Sequence, residues 1–294
     1  MQGDPPSHQT RSAGQSPGTG PAEPISRRHS QPARRSLTGK GQAVSEAALS
    51  VGGSATTGRS QAAHSVGAEA PAAPLLRRVL QAAQDLDPVG LQAQLDRAAT
   101  VLGLARCVDQ IVMPGTQELR RLLATGQRDP AQELMATEAV RTWLNHRALF
   151  APPPQEIGPV LLACGPRDRD VIGLESFALL LRHQRWPCRV LGARVPTFTL
   201  TIAAQAADAV GVVVISTESR GLPHAVVALR AVDALGIPVF FAGNAFEPEH
   251  SRRQLPGRHL GTRMEGACTQ LIDALAPAAQ RRSAAIHSPG SEVR

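Results

Sequence analysis

From residue 160 onward, short apolar runs alternate with segments of helical periodicity, and this alternation limits the possible folds more than any other feature of the chain. Strand-like runs lie at 160–164, 189–191, 211–216 and 238–243, and helix-like segments follow at 174–185, 200–207, 225–235 and 264–275. The run at 211–216 is almost purely β-branched, which is typical of a strand buried on both faces of a parallel sheet. This order predicts an α/β domain over residues 157–278, with a doubly wound, mainly parallel, Rossmann-like (flavodoxin-like) sheet.

A different periodicity precedes the predicted sheet. Apolar side chains recur at helical spacing from residue 75 to residue 150, in stripes that begin at Leu75 and Leu91. Asp87-Pro88 interrupts the pattern, and Asp129-Pro130 has the form of a capped helix start with proline in the first turn. The Ala-Pro-Pro-Pro segment at 151–154 is a stiff linker. The region 75–150 is therefore predicted to be a bundle of four or five helices.

The two ends of the chain have the composition of unfolded segments. Residues 1–72 are rich in Ser, Gly, Pro and Gln and poor in large apolar side chains, so a disordered tail is predicted there, with a second flexible tail at 279–294. The net charge of +7 is spread along the chain and does not indicate a nucleic-acid surface. No apolar run approaches the roughly 20 residues of a membrane span. The four cysteines are far apart, which favours a reduced, cytoplasmic protein without membrane contact.

The loop after the first predicted strand has the most specific pattern. It spells Asp-x-Asp-x-x-Gly, with Asp168, Asp170 and Gly173, at the strand's carboxyl end, where open α/β sheets bind ligands. From these residues alone, the two carboxylates are either helix-capping and first-turn groups favoured by the helix dipole or part of a ligand site. The sequence shows no third convergent ligand, so a metal is left unassigned. Nucleophile-elbow, dinucleotide and phosphate-loop motifs are missing from the sequence, and we predict a protein that is not an enzyme.

Several blocks, taken in order, carry a resemblance to a known family. They are 109–138 with Pro114, Gly126 and Glu133, the loop and helix at 164–181, 190–193 with Pro196, Ser216, and the turn at 242–246. Together they resemble the cobalamin-binding module, a helical bundle plus a Rossmann-like domain, of methionine synthase and of MerR-type cobalamin-dependent photoreceptor repressors. The resemblance covers about residues 75–275.

The resemblance implies a site for cobalamin between the bundle and the carboxyl edge of the sheet. The residues it implies for cofactor binding are Asp168, Asp170, Gly173, Ser216, Gly243, Asn244 and Glu133. Asp170 stands where the family has its cobalt-ligating His, and imidazole suits cobalt in this setting better than a carboxylate does. Leu123, Leu134 and Glu218 also replace family residues, which are Trp, His and Leu respectively. A corrinoid is therefore expected to bind without a loop imidazole.

Two functions remain open from the sequence. The first is a cobalamin-binding-like sensory or regulatory module in transcriptional regulation, with a corrinoid as ligand. The second is a cofactor-free module that acts as a scaffold for protein interaction or oligomerisation. Either version would work as a homo-oligomer or with a partner regulator. DNA would be contacted indirectly, or weakly through arginines of the N-terminal tail.

Overall fold

The computed structural model describes residues 72–127, 129–155 and 157–287. The predicted disordered tail lies outside the described residues, apart from Ala72, the first residue of α1. The bundle contains α1 (Ala72–Gln84), α2 (Pro88–Leu102), α3 (Leu104–Cys107), α4 (Met113–Ala124) and α5 (Pro130–Ala148). The sheet domain contains β1 (Val160–Cys164), α6 (Ile172–His183), β2 (Cys188–Gly192), α7 (Thr197–Ala206), β3 (Gly211–Ile215), α8 (Leu222–Asp233), β4 (Val239–Ala242), α9 (Glu249–Arg252), β5 (Arg258–His259) and α10 (Met264–His287).

Local capping sets where the bundle helices start. Asp87 accepts a hydrogen bond from the Gly90 backbone N–H at 2.8 Å, and Pro88 opens α2. At the start of α5, Asp129 and Gln132 form a reciprocal capping box. Both helices start where the sequence pattern places them. Such starts are predictable because the capping residues act on neighbours only two or three positions away.

Pro114 does not end its helix as a proline usually would. Residues Val108–Val112 form one π-helical turn that connects α3 to α4, and the Met113 N–H bonds to the Val108 carbonyl, five residues back. A wider turn accommodates a proline, which has no N–H to donate and crowds the preceding turn. The π turn also changes which side chains of this segment face the sheet domain.

The five described strands form one parallel sheet in the order β2-β1-β3-β4-β5. Strand β3 is central and buried along its whole length, as its β-branched composition predicts. The α/β prediction is therefore confirmed. Strand β5 was not predicted, because its two residues, an Arg and a His, have no strand-like pattern and depend on pairing with Phe240 and Phe241 of β4.

Helices cover both faces of the sheet, and the bundle packs on one side. Side chains of α6 and α10 bury one face, and those of α7 and α8 bury the other. Ile172 and Leu179 of α6 belong to the apolar core of the bundle, whereas Val108 of the bundle belongs to the core of the sheet. The backbone of α10 is helical to His287, beyond residue 278, where the sequence prediction ended the domain. Within the described residues no helix is both long enough and apolar enough to cross a membrane.

Candidate functional site

The site is built at the carboxyl edge of the sheet, between β1 and β3. The helix that follows β1 lies on one face of the sheet and the helix that follows β3 lies on the other. The loops at this point diverge and leave a crevice, which is where open α/β sheets bind ligands. In this protein the bundle lies over the crevice, so the ligand space has a floor and a roof.

Asp168 is almost completely buried and connects two of the loops at this edge. Its carboxylate accepts hydrogen bonds from the Ser216 hydroxyl and the Thr217 N–H, both at 2.8 Å, and from the Glu218 N–H at 3.3 Å. Its carbonyl accepts the Arg194 N–H, from the loop after β2, at 2.9 Å. Of the two interpretations left open by the sequence, capping of the following helix does not apply to Asp168. Its side chain faces across the sheet edge and holds the β3 loop.

Glycines make room for this buried carboxylate. A Cβ atom at Gly221 would lie 2.9 Å from Asp168 Oδ2, and one at Gly165 would lie 2.6 Å from the same oxygen. Ser216 is fully buried and its hydroxyl is engaged with Asp168. Asp168 and Ser216, which the resemblance associates with the cofactor, therefore form the support beneath the crevice and are not on its wall.

Asp170 points in a different direction and has a different partner. One carboxylate oxygen accepts the Ile172 N–H at 3.1 Å, and the other lies 2.6 Å from the Arg120 guanidinium of α4. Asp168 and Asp170 thus do not compete for partners, because each carboxylate has its own donors. Arg120 was not identified from the sequence. The bundle and the sheet domain are the two lobes of the protein. No local pattern marks Arg120, since it lies in the bundle and its partner lies in the other lobe.

Two glycines of the predicted site have structural roles that explain their type. Gly243 has φ +103°, and a Cβ there would collide with the Ser216 carbonyl oxygen. Gly173 is the second residue of α6 and shows no such conflict. A Cβ there would meet only the methyl groups of Met264 and Met113, at 3.5 and 3.7 Å. Gly243 is needed by the backbone, whereas Gly173 leaves free space.

That free space is part of a cavity of about 530 Å³ between α4, the loops of the sheet edge and the start of α10. Four predicted site residues line it: Asp170, Gly173, Gly243 and Asn244. Asp109 and Gln110 of the π turn also line it. The Gln110 side-chain oxygen is buried and has no hydrogen-bond partner, which is costly unless a ligand or water supplies a donor.

Asp109 forms a second link between the lobes at the cavity rim. Its carboxylate accepts the Met264 N–H at 2.7 Å and the Glu265 N–H at 3.3 Å, and so caps α10 from the bundle. The Arg263 side chain lies 3.9 Å from the same carboxylate. The sequence places Asp109 at the start of a family block, but only the fold shows which helix it caps.

Other residues singled out in the sequence lie away from the cavity wall. Glu133 is half-buried on α5, where it accepts the Thr137 hydroxyl at 3.3 Å. The structure thus differs from the expectation that it faces the ligand space. Leu134 is 63% exposed, and Leu123, Leu134 and Glu218 do not fill the cavity. Trp143 belongs to the bundle core and donates to Asp96 at 2.8 Å.

Beneath the site, Cys164 is a neutral thiol, and the described residues include no group of side chains arranged to bind a metal ion. Burial, followed by the nearby Asp170 charge, raises the pKa of Cys164 to about 12, and its thiol donates to the Asp170 carbonyl at 3.2 Å. Such a thiol is neutral and unreactive at physiological pH. Among the described residues, no group of three or more His, Cys, Asp or Glu side chains is arranged to hold a metal ion.

The comparisons with known proteins agree with this architecture. Residues 75–147 match the family model described as the B12 binding domain, which places the match on the bundle. The solved structure of the Methanosarcina barkeri monomethylamine corrinoid protein resembles the chain with a TM-score of 0.55 at 11% identity, over 68% of this chain and 98% of that one. At this identity the likeness concerns the fold alone. The resemblance to a cobalamin-binding module is therefore confirmed.

A curated relative is more similar to this chain in sequence than that structure is. The HTH-type transcriptional repressor CarH of Myxococcus xanthus is 28% identical over 170 residues, which are 57% of this chain and 56% of the repressor. The chain thus spans little more than half the length of this curated relative.

Proposed function

We propose that this protein is a corrinoid-binding regulatory module that holds cobalamin between the bundle and the sheet without a protein imidazole on cobalt. The main support is the position of the cavity. It lies at the strand-order switch point, under a bundle of the B12-binding type, and its wall includes Gly173, Gly243 and Asn244. A ligand in this position touches both lobes, so binding is able to change how firmly they are held together.

The residues present suit a corrinoid in two respects. The periphery of the corrin ring carries amide groups, which would donate to the unpartnered oxygen of Gln110. Gly173 provides a flat, uncharged approach between two methionine side chains, which adapt easily to an apolar partner. Bound cobalamin would supply a cobalt centre whose upper ligand changes with light or redox state, and the chain itself would supply shape and hydrogen bonds.

Asp170 takes no part in metal ligation in this proposal. One of its oxygens accepts the Ile172 N–H, and a carboxylate is a poorer ligand for cobalt in this setting than the imidazole that the family uses. Cobalt would therefore keep the base of the cofactor's own nucleotide, or water. This proposal predicts that bound cobalamin has the visible spectrum of its free base-on or base-off form at neutral pH, and not that of a histidine-ligated form.

The regulatory part of the proposal rests on the relative and on the site. CarH is a transcriptional repressor, and a ligand in the cavity of this chain would contact both the bundle and the sheet domain. The signal would pass to a partner regulator or to a second copy of the chain. Direct DNA contact by the arginines of residues 1–72 would be weak and would depend strongly on salt.

The test is retention of corrinoid by the purified full chain. Hydroxocobalamin and adenosylcobalamin are each mixed with the protein, excess ligand is removed by desalting, and the visible spectrum is recorded. Gly173→Phe, which fills the space between the two methionines, should abolish retention. Gly266→Ala is the matched control, because a Cβ there meets nothing within 4 Å. If neither corrinoid is retained by the unmodified chain, the proposal is rejected.

The scaffold function remains the second candidate, and one observation favours it. The interaction of Arg120 with Asp170 and that of Asp109 with α10 hold the lobes together without a ligand, as a cofactor-free module requires. Selective binding to the native state raises the melting temperature. A clear rise with either corrinoid would therefore exclude the scaffold function, and unchanged melting in both would favour it.

A further inference from the structure

We propose that the Arg120–Asp170 ion pair is a latch that holds α4 of the bundle on the loop after β1 and must open before a corrinoid can occupy the cavity. The role in corrinoid entry rests on the proposed function. The latch itself does not, because it is a property of the ligand-free protein. The pair joins the bundle to the loop after β1, with 2.6 Å between the charged groups.

The cavity is small for a complete corrinoid while the ion pair is formed. About 530 Å³ lies within the range of roughly 300–1,000 Å³ that suits drug-sized ligands. A complete cobalamin, with its corrin ring and nucleotide tail, is larger than such ligands. The cavity can therefore hold only part of it, and a ligand that fills this space meets Arg120 and Asp170 on the cavity wall.

The contacts between the lobes show where the bundle would turn when the latch opens. On one side, α5 packs along α6 through an apolar seam that includes Ile172 and Leu179, and Arg141 is paired with Glu175 at 3.0 Å. On the cavity side, the polar contacts are Arg120 with Asp170 and Asp109 with the start of α10. Apolar seams resist separation, whereas a partly exposed ion pair exchanges readily with water. Val108 also packs into the sheet-domain core on the cavity side, but the α5–α6 seam is the more extensive apolar contact. The α5–α6 seam is therefore the hinge, and the cavity side is where the lobes part.

Arg120 is well placed to act as the latch. Its side chain is 40% exposed and that of Asp170 is 18% exposed, so the pair opens without leaving a charge in an apolar core. Both residues line the cavity, so an entering ligand competes directly with the pair. In addition, the Asp170 carboxylate holds the Ile172 N–H at the start of α6. Release of Arg120 would therefore loosen the loop before α6 and the first turn of that helix, where Gly173 lies.

Hydrogen exchange measured by mass spectrometry on the ligand-free full chain tests the latch. Arg120→Gln and Asp170→Asn should each raise exchange about two- to fivefold, the range expected for loss of a partly exposed ion pair. The rise should appear both in peptides covering 113–124 and in peptides covering 168–175, which lie in different lobes. Asp170→Asn keeps a side-chain oxygen to accept the Ile172 N–H, so it removes chiefly the ion pair.

Arg121→Gln is the matched control, because Arg121 is on the same helix and its ion pair among the described residues is with Glu118 of that helix. It should leave exchange at 168–175 unchanged. The Arg120→Gln/Asp170→Asn double variant should exchange no faster than either single variant, since both remove the same interaction. Unchanged exchange in the single variants, or an equal rise with Arg121→Gln, overturns the latch.

A ligand experiment separates the latch from the proposed function. Association of hydroxocobalamin followed by stopped-flow absorbance should be about two- to fivefold faster in Arg120→Gln, and unchanged in Arg121→Gln. If exchange rises as expected but no variant retains corrinoid, the latch stands and the proposed function fails. If corrinoid binds at equal rates to all variants and exchange does not change, the latch fails and the proposed function stands.

Discussion

Removal of the Asp168 carboxylate should destabilise the sheet domain strongly. Asp168→Ala leaves the Ser216 hydroxyl and the Thr217 N–H without their acceptor in a buried site, where each loses a bond of 2.8 Å. A buried donor without a partner costs about 1–3 kcal/mol, and hydrogen bonds to a charged group are worth about 1.5–3 kcal/mol. The costs of losing the Ser216 and Thr217 bonds do not add in full, because both bonds share one acceptor and the loops relax around the substitution. The expected decrease in the free energy of unfolding is therefore about 3–5 kcal/mol.

Urea denaturation followed by tryptophan fluorescence is a suitable assay. The two tryptophans report on different lobes, since Trp143 is buried in the bundle core and Trp186 in the core of the sheet domain. Each is recorded separately by replacing the other with Phe. Asp168→Ala should shift the Trp186 transition to lower urea concentration. Asp233→Ala removes an exposed carboxylate from α8 and should change stability by no more than about 0.5 kcal/mol.

A double-mutant cycle isolates the side-chain pair. Asp168→Ala and Ser216→Ala should be non-additive by about 1–2 kcal/mol, because they share one buried hydrogen bond. A decrease of less than about 1 kcal/mol for Asp168→Ala would mean that this carboxylate does not hold the loops together. It would then have to be treated again as a ligand-facing group.

Three further predictions concern separate features of the fold. Gly243→Ala should cost more than about 2 kcal/mol in thermal or urea unfolding, because its positive φ and the adjacent Ser216 carbonyl leave no room for a Cβ, whereas Gly266→Ala should be neutral or slightly stabilising. Asp109→Ala should lower the free energy of unfolding by about 1–2 kcal/mol, because it removes the cap on α10. It should also separate the Trp143 and Trp186 unfolding transitions, since this cap joins the bundle to the sheet domain. Coincident transitions with unchanged midpoints would contradict this. Burial raises the pKa of Cys164 and Cys107 from 9.0 to about 12. The unfolded chain therefore releases its thiol protons at lower pH than the folded protein does. The contribution of these thiols to stability should be complete below pH 9 and lost between pH 9 and 12. The chain has no tyrosine and only Lys40 as a lysine, so urea midpoints from pH 8 to about 11 should report mainly on thiols, and Cys164→Ala should reduce the decrease.

Much of the fold was predictable because its signals are local. The β-branched run of β3 indicated a central buried strand, and Asp129-Pro130 indicated the start of α5 through contacts with its nearest neighbours. The π turn before Pro114 was not predictable in the same way. A proline inside an apolar helical pattern usually signals an end, and here packing against the sheet domain keeps the helix continuous.

The sequence by itself determined the class of the protein: a helical bundle followed by an α/β sheet, with a cobalamin-module loop whose His position is occupied by Asp170. Periodicity and caps act over a few residues, so a single chain displays them directly. Only the tertiary structure decided what the two loop carboxylates do. Asp168 turns to the β3 loop and Asp170 to Arg120 of the bundle, and both partners are distant in the chain. Such pairings depend on how whole elements are placed against one another, and local residue patterns do not encode that placement.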